Sequence, residues 1–128
     1  PLAPPTPFGK EAEAKEVIGD VDGRLCILTD DMIDSGGTIC SAADILLERG
    51  ATEVWAMATH GVLSGPAIDR QKNSKISRVV LTNTLPLPSE KQIDKIEVLS
   101  IAPLIADALN AVFDDTSVSE IFGGENQA

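Results

Sequence analysis

Apolar and polar positions fall into blocks along this chain, and the spacing within each block changes. Arg24 to Thr29, "RLCILT", is dense in Leu, Cys and Ile, as a strand covered on both faces should be. Val17 and Ile18, ahead of the turn "DVDG", predict a shorter strand before it. From residue 38 to 49 the period lengthens to that of a helix: Ile39, Ala42, Ala43 and Leu46 share one face, and Ser41, Asp44 and Glu48 form a polar stripe. Gly50 stands where a glycine ends such a helix. Glu53 to Thr59 predicts another strand. "SGPAIDRQKNS" predicts a short helix with Ser64 in the capping position and Pro66 in the first turn. Arg78 to Leu81 and Ile96 to Leu99 predict two more strands, separated by the proline-punctuated loop "NTLPLPSEKQID". Ile101 to Phe113 predicts the last helix, capped by Ser100, with Ile101, Leu104, Ile105, Ala108, Leu109 and Val112 on its apolar face.

Strand, helix, strand, helix in short succession is the series of crossovers that builds a mostly parallel sheet with helices on both faces. The expected fold class is therefore α/β, in a single domain. Residues 1–15 read as a flexible arm, because four prolines in the first seven positions deny backbone donors and the charged remainder has no apolar period. Residues 16–122 read as the domain and 123–128 as a tail.

Composition narrows the chemistry. The chain has 128 residues and a net charge of −10, so a nucleic-acid backbone or an anionic membrane would be approached against long-range repulsion. No run of about 18 apolar residues predicts a membrane span. The chain begins at Pro1 with neither a charged n-region nor an apolar h-region, so no secretory signal is expected and Pro1 reads as the start of a processed or excised piece. Cys26 and Cys40 sit in apolar surroundings without metal-ligand spacing and are expected to be buried free thiols. With one histidine, His60, the ligands for a zinc site or a Cys-His nucleophile are missing.

The chemistry concentrates in "LCILTDDMIDSGGT". Ligands of a parallel sheet bind outside the carboxyl ends of the strands, and Asp30 to Thr38 stands there. Gly36 and Gly37 let the backbone approach a ligand closely and leave helix-entrance amides free for a phosphate, and Ser35 and Thr38 add hydroxyls. Asp30, Asp31 and Asp34 repel that same phosphate, so they suit a neutral neighbour. A ribose 5-phosphate offers both, a diol for carboxylates and a phosphate for amides. An acidic strand end followed by an ordinary loop and helix cap fits the same residues. The Walker pattern and the three-glycine dinucleotide fingerprint are absent.

At these residues the chain resembles the type I phosphoribosyltransferase fold. "ATHGVLSGPA" (58 to 67), "TNTLP" (82 to 86) and "SVSEIF" (117 to 122) narrow the resemblance to the ribose-phosphate diphosphokinases, also called phosphoribosyl pyrophosphate synthetases, over roughly residues 16 to 122. That resemblance implies diphosphoryl transfer from ATP to the 1-hydroxyl of ribose 5-phosphate with magnesium (Mg2+), in a cytoplasmic homohexamer. It implies that Asp30 and Asp31 hold the ribose hydroxyls and that Asp34, Ser35, Gly36, Gly37 and Thr38 form the 5′-phosphate loop. It further implies that this is the second of two similar domains. Lys10 and Lys15 do not align with the family's catalytic loop, so no catalytic residue and no metal ligand is assigned, and the chain alone is expected to be inactive. "SVS" at 117–119 resembles a region that in some family members contributes to a regulatory phosphate or nucleotide site, although serines near a C-terminus are more often solvated turn residues. A nucleobase phosphoribosyltransferase and a noncatalytic regulatory subunit of the synthetase are the alternatives; "TNTLP" argues against the first.

Overall fold

The computed structural model of the chain describes residues 19–114. The expected strand at Val17 and Ile18, the arm, the tail and residues 117–119 lie outside them. In order come β1 (Leu25–Ile33), α1 (Gly37–Glu48), β2 (Glu53–Gly61), α2 (Ala67–Asn73), β3 (Arg78–Thr82), a single 3-10 turn (Ser89–Lys91), β4 (Ile96–Leu99) and α3 (Ala102–Phe113).

The four strands form one parallel sheet in the order β1-β2-β3-β4. Each crossover steps the same way along the sheet, and α1 and α2 pack against each other on one face, as right-handed crossovers require. The core lies there: Val54, Ala56 and Ala58 alternate along β2 and cluster with Val79, Leu81, Ala43, Leu63, Ala67 and Ile76. Small alanines in β2 and at Ala43 and Ala67 let helices sit close to the sheet. The opposite face is not the mirror image that helices on both sides would produce. Trp55 and Met57 are half-buried there, and Leu25 and Ile27 are 43% and 47% exposed.

One boundary and one buried face differ from the sequence expectation. β1 does not stop at Thr29 but continues through both aspartates to Ile33, paired to β2 as far as Ile33 with Gly61. The carboxylates remain exposed, so extending the ladder satisfies backbone groups without burying charge. In α3 the buried residue is Ala111, with Ala108 half-buried, while Leu104, Ile105, Leu109 and Val112 are 39–66% exposed. α1 ends as expected, at Gly50 with φ 100°, whose amide donates to Leu47 O at 3.1 Å. None of the described helices is long and apolar enough to cross a membrane.

Candidate functional site

β1 delivers Asp30 and Asp31 to the carboxyl edge of the sheet. Asp30 pairs with Ala58 and Met32 with His60, while Asp31 has no Cα partner in that register. The Asp31 amide donates to Asp30 Oδ1 at 2.8 Å. A hydrogen bond between the two carboxyl groups, seconded by the Met32 amide, holds Asp31 below the usual carboxylate range. The structure therefore brings these two together as an exposed acidic pair. Beside Asp30 opens a groove of about 260 Å3, lined in part by Thr29, Met57, Thr59, Thr82 and Leu99.

After Ile33 only three residues, Asp34 to Gly36, separate β1 from α1. Gly36 is the N-cap at φ 82°, the left-handed region that favours glycine, whereas Gly37 is already helical. The sequence treated the two glycines alike; only the first needs its backbone freedom. No side chain caps α1 and its first turn carries no acidic residue. Among the described residues no hydrogen bond engages the amides of residues 34–39, and the hydroxyls of Ser35 and Thr38 are likewise unengaged. Those orphan donors stand at the positive end of a twelve-residue helix, where a negative charge is electrostatically favoured.

Asp34 behaves differently from the rest of the turn. Its carboxylate accepts the Ser64 hydroxyl, from the β2–α2 connection. Ser64 thus serves a neighbouring loop rather than capping α2, whose N-cap is Pro66, outside the first turn. Arg70 Nη1 donates to Ser35 O at 3.2 Å. Gln71 is fully buried, and a Cβ on Gly36 would lie 2.7 Å from its Nε2. Ser64, Arg70 and Gln71 were missed as site residues because they stand 30 or more positions along the chain from the turn they touch.

His60, Trp55 and the two cysteines make contacts of their own. His60 Nδ1 and Thr84 Oγ1 are 2.8 Å apart at the ends of β2 and β3. Trp55 lies under Arg78, whose Cζ is 4.8 Å from the ring centroid, and donates Nε1 to Glu53. Cys26 and Cys40 are free, and half-buried rather than buried; burial pushes the Cys40 thiol up.

A family model described as "Phosphoribosyl synthetase-associated domain" matches residues 2–123. The chain is 64% identical over 107 residues to a ribose-phosphate pyrophosphokinase of Streptomyces avermitilis, covering 84% of this chain and 33% of that protein. It is 54% identical over 116 residues to the ribose-phosphate pyrophosphokinase of Caldanaerobacter subterraneus, covering 91% and 37%. The crystal structure of phosphoribosylpyrophosphate synthetase from Mycobacterium smegmatis superposes with a TM-score of 0.72 at 52% identity, covering 77% of this chain and 33% of that one. The chain thus spans about a third of the length of the relatives it matches.

Proposed function

The chain belongs to the phosphoribosyl synthetase-associated domain family, and we propose that it is the ribose 5-phosphate-binding part of a ribose-phosphate pyrophosphokinase. One observation carries this reading: an uncapped helix entrance with free amides, its N-cap at Gly36, stands five residues beyond the exposed acidic pair of β1. The amides of residues 35–38 and the hydroxyls of Ser35 and Thr38 hold the 5-phosphate, and Asp30 and Asp31 accept hydrogen bonds from the ribose diol. Asp34, engaged by Ser64, shapes the turn rather than touching phosphate.

In the parent enzyme, of which this is the second domain, the 1-hydroxyl oxygen of the held sugar attacks the β-phosphorus of ATP. A diphosphoryl group is transferred and AMP leaves. The work of such a transfer is positioning and charge neutralisation. This chain supplies the positioning. Magnesium is ordinarily held by one or two carboxylates together with waters and substrate phosphates, and no step is assigned to it. The parent is a cytoplasmic homohexamer, and the apolar side chains exposed on α3 and on β1 are suited to contacts within it.

The test is a titration of the isotopically labelled chain with ribose 5-phosphate, read by amide chemical shifts. The expected result is weak binding that moves the amides of residues 35–38, with unphosphorylated ribose leaving them in place. Amides that stay put at millimolar ribose 5-phosphate refute the assignment. The chain alone makes no phosphoribosyl pyrophosphate, and a coupled assay detecting that product would overturn this second claim.

A further inference from the structure

The stretch "HGVLSGPAIDRQ", residues 60–71, has no part in the ligand contacts just described, yet it touches the anion turn at every residue from Ile33 to Gly37. Val62 N and Leu63 N both donate to Ile33 O, at 3.0 and 3.1 Å. Ser64 donates its hydroxyl to the Asp34 carboxylate. Arg70 Nη1 donates to Ser35 O, and the same nitrogen lies 3.1 Å from where a Cβ on Gly37 would be. Gln71 packs against Gly36. Leu63, only 1% exposed, adopts φ 52°, so this connection also carries the described chain's one non-glycine residue in the left-handed region. A buried leucine persists in that conformation only where its surroundings over-determine it.

We propose that the β2–α2 connection and the start of α2 together form a clamp that presets the anion turn, with Ser64 of the connection and Arg70 of α2 as its positioning residues. Arg70 makes no ion pair among the described residues, although Asp69 precedes it and Asp44 shares its cleft. Its guanidinium carries five donors, and a turn carbonyl takes one of them. The bond fixes the peptide that follows Ser35, and with it the direction of the Gly36 amide. It also keeps a cation next to a turn otherwise surrounded by carboxylates. Ser64 acts on one of those carboxylates: while the hydroxyl holds Asp34, that charge stays off the amides an anion must reach. The two residues thus remove different obstacles, disorder of the turn and repulsion within it.

The proposal takes its ligand from the ribose-phosphate reading but its geometry from the free chain, so the two fail separately. The experiment uses the full labelled chain as wild type, Arg70→Leu, Arg70→Lys and Ser64→Ala. Backbone order parameters of residues 34–37 are measured first. Values near about 0.85 in the wild type are expected to fall toward about 0.6 in Arg70→Leu, with the strands unchanged and Arg70→Lys restoring much of the order through its own donor. A turn as ordered in Arg70→Leu as in the wild type overturns the clamp, and so does loosening spread equally through α1 and the sheet. Ribose 5-phosphate and inorganic phosphate are then titrated. Arg70→Leu and Ser64→Ala are each expected to weaken both by about tenfold, the scale of one hydrogen bond to a charged group. Unchanged affinity in both variants overturns the proposal. If the wild-type turn answers neither anion, the ribose-phosphate reading fails and the order parameters alone decide the clamp.

Discussion

Replacing Gly36 by alanine tests the turn at the point where two independent demands meet. The first is backbone: at φ 82° an L-residue with a Cβ costs about 1–2 kcal/mol. The second is space. The new Cβ would stand 2.7 Å from Gln71 Nε2, closer than real Cβ contacts come, so the amide must move. Gln71 is fully buried, its Nε2 reaches Cys40 Sγ at 3.7 Å, and its Oε1 has no partner among the described residues. Displacing a buried amide that is already short of partners costs about 1–3 kcal/mol. Together the loss is about 2–5 kcal/mol, or at least about 7 °C in Tm for a domain of this size. Thermal and urea melts followed by circular dichroism measure it. Gly36→Ala combined with Gln71→Ala removes the collision and leaves the backbone demand, so the double variant should lose about 1 kcal/mol less than the two single losses summed. A Gly36→Ala chain melting within about 2 °C of wild type refutes the reasoning, and strict additivity refutes the contact with Gln71.

The remaining expectations follow from other contacts. Gly37→Ala should cost under about 1 kcal/mol in the same melts, because its φ is ordinary and the neighbour it would meet, Arg70 Nη1 at 3.1 Å, is the end of a flexible side chain. Lys95 Nζ donates to Gln71 O, Ile76 O and Ser74 O at 2.5, 2.8 and 3.3 Å, closing the C-terminal end of α2, so Lys95→Met should destabilise by about 1–3 kcal/mol. Glu53 is held below its ordinary value of 4.5 by the hydroxyl of Ser77, then by the indole of Trp55. Stability from a carboxylate depressed in this way is complete above that value and declines as pH falls through the lower folded one. Fluorescence of Trp55, the chain's single tryptophan, should report a midpoint below 4.5, and one at or above it contradicts the bonds. Cys40, its thiol raised chiefly by burial, should be alkylated more slowly at pH 8 than free cysteine; faster reaction would mean an open, ionised sulfur.

Much of this architecture is written in local patterns. β2, β3 and β4 begin and end within two residues of the runs that predict them, because a buried parallel strand must be nearly continuous in apolar side chains. α1 follows from its 3.6-residue period and Gly50, and the short turn before it from glycines after a strand. Local pattern does not decide where the deciding partner is remote. Two adjacent aspartates look like a loop until β2 is laid beside them, since only a neighbouring strand can carry the ladder past Thr29 to Ile33. The apolar stripe of α3 marks a side able to be buried, but the contacts of the folded chain bury Ala111 instead.

The site divides along the same line. Residue types and order alone determined that carboxylates and then bare amides arrive at one sheet edge, because strand, turn and helix are set within a dozen consecutive positions. Tertiary structure alone decided what each of them does: Gly36 but not Gly37 takes the left-handed cap, Asp34 turns to Ser64, and Arg70 holds the Ser35 carbonyl. The physical reason is reach. Backbone period and turn chemistry act over a few residues, whereas a hydrogen bond across 30 or 35 positions exists only after two crossovers have folded onto one face of the sheet.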